Sequence, residues 1–332
     1  MARIVRFHET GGPDVLRLED VEIGEPGPDE VVIRVEAFGL NRAEVMFRSG
    51  NYIESARKFP ARLGTEASGV VEAVGAQVTG FAVGDPISVV PAFSMNDHGV
   101  YGERTIVPAA ALVHRPEEIG AVAGAAVWMP YVTAYGALVE VGGMRAGDTV
   151  VITAASSSVG LAAIQTALRV GAVPIATTRT GAKKKALLAA GAADVVVTDE
   201  EDVVERVLGL TDGRGAEFVF DAIAGPGVLD LAKVVAPGGT LIEYGALSGE
   251  TTPYPAFDLG MPALNMRTYT LFETTTDPQR LRRAEAFVAS GLRSGAFKPV
   301  VDRVFGLEEI ADAHRYMEAG AQVGKIVVTV DH

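Results

Sequence analysis

Between Val150 and Thr180 the chain reads VVITAASSSVGLAAIQTALRVGAVPIATTRT: an apolar run, a cluster of small residues, then apolar positions at helical spacing. Small residues at a strand-to-helix turn serve three ends when a pyrophosphate is held there. They allow a tight turn, close backbone approach and close packing of helix on strand. Those places fall here on Ala155, Ser157 and Gly160, with Ser156, Ser158 and Val159 completing the turn. Ser157 stands where glycine is expected; its side chain costs backbone proximity and adds a hydroxyl able to donate to a phosphate oxygen. The helix start behind it offers free N–H groups and the positive end of a dipole whatever its side chains are. A serine-rich cap before any apolar helix would look the same, so the motif takes its meaning from its neighbours.

The second strand decides which dinucleotide is held. An unphosphorylated ribose is met by Asp or Glu about twenty residues further on. Here that strand ends ATTRTGAKKK, with no acid, and with Thr178, Arg179, Lys183, Lys184 and Lys185 in reach. Lysines at a helix start oppose its dipole at a cost of a few tenths, roughly, of a kcal/mol each. A bound 2′-phosphate removes the conflict. The residues therefore favour NADPH over NADH, with Arg179 and Lys183 as its contacts.

The elements that must position these residues follow from periodicity. Strand TVVIT, helix SVGLAAIQTALRVG, strand VPIATT, helix KKKALLAAG and strand DVVVT alternate. Helix EDVVERVLGL, strand AEFVFDAI, helix VLDLAKVV and strand GTLIEYG continue the series. Such alternation specifies an α/β fold, a parallel sheet wound with helices on both faces. Up to about Val113 the apolar runs are short and bounded by Gly, Pro and Asp, which reads as a mostly β domain. After about Ala296 short β-like pieces return around one helix, LEEIADAHRYMEA, and the closing run KIVVTV is expected to rejoin the first domain. A length of 332 residues fits two such domains.

Composition narrows the partners. A formal net charge of −13 repels nucleic acid and anionic membrane surfaces. With no cysteine there are no disulfides, no thiolate chemistry and no Cys-ligated zinc. The five histidines, at positions 8, 98, 114, 314 and 332, show no ligand spacing, so no metal is expected. The opening MARIVRFHETGG lacks the apolar segment of a secretory signal, which makes the cytoplasm the default. Ile119 to Val139 is uncharged and long enough to span a bilayer. It is also broken by Pro130 and dotted with Tyr131, Thr133 and Tyr135, so a buried helix is expected rather than a span.

Several separated blocks carry a family resemblance. GGPDVLRLEDV, PGPDEVVIRVEAFGLNRAEVMFRSGNY, LGTEASGVVEAVGAQVTGFAVGDPI, the nucleotide turn and PVVDRVFGLEEIADAHRYMEAGAQVGKIVV together resemble the zinc-free quinone oxidoreductase branch of the medium-chain dehydrogenase/reductase superfamily. The resemblance implies a Rossmann domain over 124–295 inserted into a GroES-like domain formed by 1–123 and 296–332. It further implies NADPH in the cleft between them and a homodimer. Carried over by position, Asn41 and Tyr52 face nicotinamide and substrate, Thr133 bonds the carboxamide, and Gly245, Ala246, Leu271 and Phe272 flank the ring. Lys325 is the basic residue near the cofactor. Asn41 equally fits a turn after a strand, and Tyr52 a surface-loop aromatic. The chain departs from the family in having Ser157-Ser158 for a glycine pair and Met46 where several relatives carry tyrosine. Where zinc-dependent members have a His-Glu pair it has Thr65-Glu66.

Without a metal, the charge that appears on a hydride acceptor must be met by hydrogen-bond donors, worth about 3–4 kcal/mol each at best. Quinones and α,β-unsaturated carbonyls already delocalise that charge, so an NADPH-dependent, zinc-independent reductase of such acceptors is the leading expectation, with Asn41 and Tyr52 as donors. A metal-free reductase of activated ketones, using Tyr52 to donate a proton, is the second. The third is an NADPH-binding protein without turnover. The physiological acceptor is not legible, because the loops Phe93 to His98 and Pro253 to Leu264 carry no readable code. His98 and Tyr101 remain open as cleft residues, and Asp221 reads as structural.

Overall fold

Strand Glu30–Gly39 is the organising element of the first half of the chain, pairing with Ala67–Val74, Arg104–Pro108 and Lys325–Thr329. Its alternate residues Val31, Ile33 and Val35 are fully buried, as a period of two requires of a strand with one face on a core. Burying each such side chain contributes about 1.5–3 kcal/mol. The computed structural model describes residues 1–261 and 263–332. It divides into two units, Met1–Met129 with Pro299–His332, and Pro130–Lys298.

In the first unit a seven-stranded sheet runs Val301–Gly306, Lys325–Thr329, Glu30–Gly39, Ala67–Val74, Pro86–Val89, Leu112–His114, with Arg104–Pro108 also on Glu30–Gly39. A three-stranded sheet of Leu16–Val21, Ala2–Phe7 and Ala61–Arg62 accompanies it. The closing apolar run does rejoin this unit, antiparallel to Glu30–Gly39. Helix Ile310–Ala319 packs on the same sheet and brings His314 against Arg48, whose Nη1 donates to His314 Nδ1 at 3.1 Å. Burial, then the Arg48 charge, pushes the imidazole down to about 3, so His314 is a neutral core residue. Tyr101 is likewise core: fully buried, it stacks on Phe38 with ring centroids 4.3 Å apart.

The second unit is a six-stranded parallel sheet. Its order is Asp194–Val197, Val173–Thr178, Thr149–Ile152, Ala216–Asp221, Val235–Glu243, Asn265–Thr268, that is 3-2-1-4-5-6 in chain order. This is the doubly wound arrangement, whose crevice lies where the order reverses, between the first and fourth strands. Asp221 closes the base of that crevice. Its carboxylate accepts from Thr153 Oγ1 at 2.5 Å and from the N–H groups of Ile223 and Ala224.

Some elements differ from the sequence reading. Val235 begins a strand rather than ending a helix, because the chain must drop straight back into the sheet beside Ala216. Helix Pro278–Arg293, which went unread, carries its own signals in the Asp277 cap and Pro278 at its first position. Ala121–Val141 is helical, long and apolar enough to cross a membrane, yet 78% of its most apolar window is buried, as in a core helix.

Candidate active site

Residues that the sequence singles out lie in both units, and each set is described within its own unit. In the second unit, parallel strands put all their C-terminal ends on one edge. The turn Ala155–Gly160, the Thr178–Lys183 segment, Gly245 with Ala246, and Leu271 with Phe272 follow the first, second, fifth and sixth strands, and so share that edge. The loops are cross-tied there: Tyr244 N–H donates to Asp221 O, Leu247 N–H to Ala222 O and Ser248 N–H to Ile223 O.

At the turn, Ala154 takes a positive φ of 45° and Ala155 is fully buried, with its N–H donating to Thr177 O. Gly160 is fixed by packing. A Cβ there would come within 2.5 Å of the Ala155 Cα and carbonyl oxygen, so only glycine lets the helix lie this close to the strand. Ser157 turns out to be the helix cap: its Oγ accepts from Gly160 N–H at 3.1 Å. That contact occupies one N–H of the first turn; the other first-turn N–H groups of Ser158–Val170 have no acceptor within the helix. Lys183 reaches back over the turn, donating from Nζ to Ser156 Oγ at 3.3 Å. Thr178 is buried at the strand end, its hydroxyl directed to Thr180 O, while Arg179 is exposed and makes no ion pair among the described residues. The donors present, a strained small-residue turn, a helix start and two cations, fit a dinucleotide phosphate; the acids beside them, Asp199 and Glu200, come from the loop after the third strand, Asp199 N–H donating to Arg179 O at 3.1 Å. Thr133 is buried on helix Trp128–Ala134 of the same unit.

In the first unit the site is built around a buried ammonium. Lys325 Nζ donates to Asn41 Oδ1 at 2.5 Å and to Glu66 Oε2 at 2.6 Å, and neither Lys325 nor Glu66 exposes more than 1% of its side chain. The other Glu66 oxygen accepts from Met129 N–H at 2.8 Å. Gly39 makes room, since a Cβ there would meet Ala125 O at 2.2 Å and Lys325 Cε at 2.5 Å. Asn41 precedes helix Arg42–Ser49, and Glu44 in the first turn accepts from its N–H at 2.6 Å, half of a capping box. Asn41 is thus both a helix start and a partner of Lys325.

Tyr52 is half-buried, its ring edge-on to Phe47 at 6.2 Å. Burial, then the charges of Glu44 and Glu54, push its phenol up to about 12, so it keeps its proton at neutral pH. Glu54 ties the Tyr52 loop to the segment Phe93 to His98, accepting from Ser94 Oγ at 2.6 Å and Asn96 Nδ2 at 3.1 Å. The sequence singles out Asn41, Tyr52 and Lys325 but not Glu44, whose available signal is the Asn-x-x-Glu spacing of a capping box.

A zinc ion does not fit this donor set. Among the described residues no three His, Asp or Glu side chains converge, and the space facing Glu66 and Asn41 already holds an ammonium.

A 3-2-1-4-5-6 nucleotide-type sheet joined to a β unit defines the class of two-domain dehydrogenases and reductases. Sequence profiles agree: that of the GroES-like domain of alcohol dehydrogenases matches residues 27–117, and that of zinc-binding dehydrogenases matches 190–328. The quinone oxidoreductase of Pseudomonas aeruginosa is 33% identical over 332 residues, covering 99% of each chain. The human quinone oxidoreductase is 30% identical, covering 99% of this chain and 98% of its own. Among solved structures, the Escherichia coli quinone oxidoreductase complexed with NADPH superposes with a TM-score of 0.92 at 27% identity, over 99% of this chain and all of that one. The chain belongs to the quinone oxidoreductase family of the medium-chain dehydrogenase/reductase superfamily.

The buried ion pair gives a direct test. Lys325→Ala leaves Glu66 charged and unpartnered, and urea unfolding is expected to show a loss of about 3–5 kcal/mol. Combining Lys325→Met with Glu66→Gln removes both charges and is expected to recover much of that loss. Equal losses in the two variants would mean the pair is not energetically coupled.

Proposed function

We propose that the protein is an NADPH-dependent reductase of quinones and α,β-unsaturated carbonyls, working without zinc in the cytoplasm. The observation that carries the reading is the pair of cations at the second strand end, Lys183 folded onto the turn and Arg179 exposed beside it, on a strand that itself ends in no acid. Relatives named as quinone oxidoreductases over their full length support it. NADPH supplies a hydride when bound. The chain's own residues do the rest. The turn and its helix start hold the pyrophosphate, Arg179 and Lys183 hold the 2′-phosphate, and Thr133, Gly245, Ala246, Leu271 and Phe272 orient the nicotinamide. Asn41 and Tyr52 face the acceptor and donate hydrogen bonds to the oxygen that gains negative charge. Lys325 acts through Asn41, holding its amide oxygen, while Asn41 Nδ2 lies 3.3 Å from Glu44 Oε1 and 3.4 Å from Gly39 O and must release one of them to reach the acceptor.

The deciding experiment is an NADPH-oxidation screen of the purified protein over quinones, enones and activated ketones, with and without EDTA. Turnover of quinones or enones that survives chelation is expected. Arg179→Ala combined with Lys183→Ala should raise KM for NADPH roughly tenfold or more, the loss of one or two charge-assisted bonds, and leave KM for NADH nearly unchanged. Binding of NADPH with no turnover of any acceptor would mark a non-catalytic binding protein instead.

A second reading, reduction of activated ketones, rests on Tyr52 keeping its proton at neutral pH, since an alkoxide needs a proton that a hydroquinone anion does not. If ketones are the substrates, Tyr52→Phe loses about 10²-fold or more in kcat with ketones and little with quinones. Equal small effects on both classes would leave Tyr52 no donor role.

We also propose a homodimer. Edge strand Asn265–Thr268 has no outer strand partner among the described residues, and the segment before it exposes Tyr254 (74%), Phe257 (93%) and Met261 (84%). Sedimentation should give twice the chain mass, and Phe257→Glu with Met261→Glu should shift it to the monomer; a wild-type monomer refutes the assembly.

A further inference from the structure

One buried carboxyl behind the two candidate donors has no part in the scheme above. Glu44 is fully buried on helix Arg42–Ser49. Its Oε2 accepts from Asn41 N–H at 2.6 Å, and its Oε1 from Thr65 Oγ1 at 3.2 Å and Asn41 Nδ2 at 3.3 Å. The ionisable groups facing it come from every neighbouring element: Lys325 on the last strand, Tyr52 on the following loop, and Tyr101, which also feels Arg48 and Glu66. Two buried carboxyls therefore share one ammonium. Lys325 bonds Glu66 and Asn41, and makes no ion pair with Glu44 among the described residues.

We propose that Glu44 is a titrating positioning residue, whose acid form readies Asn41 and Tyr52 to stabilise negative charge on the acceptor and whose ionised form opposes that charge. The inference rests on the reading that those two residues face the acceptor. Three features carry it. First, the carboxyl touches Asn41 through two of that residue's N–H groups, so its charge acts on the donor directly. Second, it can change protonation without moving heavy atoms: Thr65 Oγ1 donates to the carboxylate and can accept from the carboxylic acid. Third, an anion here raises the proton affinity of Tyr52, which weakens the phenol as a donor. Burial pushes the Glu44 carboxyl up to about 7, with Lys325 and the Asn41 bonds pulling the other way, so both forms are populated near neutrality.

The sign follows. A carboxyl raised into this range is protonated below it and ionised above, so kcat with a quinone should fall as pH rises through about 7. An anion set just behind the donors is expected to slow the step by roughly tenfold between about pH 6 and pH 8. Glu44→Gln keeps the shape and is neutral at every pH. Its profile should be flat to within about twofold, near the acid level of the wild type, and Glu44→Asp should restore a pH-dependent fall. If Glu44→Gln retains the wild-type fall, the proposal is wrong. A second measurement does not depend on turnover or on a variant folding well. In carboxyl-labelled wild-type protein, the infrared band of a protonated buried carboxyl should disappear between about pH 6 and pH 8. A carboxyl ionised throughout overturns the proposal. Should no quinone or enone be reduced at all, the functional reading above fails, and the infrared titration alone decides Glu44.

Discussion

The ammonium of Lys325, sealed between Asn41 and Glu66, is the interaction on which the first unit's site depends. Taking a charge of each sign out of water is costly, and the pair is tolerable because each Glu66 oxygen meets a donor and the ammonium meets two acceptors. One Glu66 oxygen goes to Lys325 and the other to Met129 N–H, while Asn41 Oδ1 takes a further Lys325 proton. Gly39 must lack a side chain for the ammonium to sit there. Strand Lys325–Thr329 must pair with Glu30–Gly39 to deliver it. Packing, sheet register and site geometry are thus one constraint, and Asn41 inherits its orientation from it.

The same arrangement leaves no room for a metal ion beside Asn41 and Glu66. An ammonium fixed by two oxygen acceptors occupies the ground a metal would need, and the donor set around it lacks sulfur and imidazole. In the proposed reaction, charge on the acceptor oxygen is met by neutral donors, which suits acceptors that spread their charge over a conjugated system. The second unit is ordered by a different buried group. Asp221 holds Thr153 and the loop after it across the reversal point of the sheet, so the strand ends present their loops as a tied set.

Much of this was legible in the residues. The alternation from Val150 onward announced the parallel sheet, and Arg179 and Lys183 stood out because lysines at a helix start are otherwise unfavourable. The run KIVVTV read as a strand that rejoins the first domain, which it is. Other features depend on long-range contacts that no local pattern encodes. That Lys325 and Asn41 touch is a matter of sheet register across 284 residues. Ser157 caps the helix by accepting from Gly160 N–H, a use the sequence reading did not assign, and this leaves its hydroxyl proton available to a phosphate oxygen. Tyr101 looked equally suited to a cleft and is in the core, where Phe38 gives it a stacking partner. Helix Pro278–Arg293 and the capping box at Asn41 do carry local signals, an Asp cap followed by Pro and an Asn-x-x-Glu spacing.

Because the last strand of the sheet carries the buried ammonium, the two units differ in when they can be completed during synthesis. Residues 130–298 form their parallel sheet from one unbroken stretch and can consolidate while later residues are still being added. The β unit cannot: its central strand waits for a neighbour made some three hundred residues later, and until then Asn41 and Glu66 have no cation between them. The nascent chain therefore acquires a nucleotide-type fold before it can own a finished reaction centre.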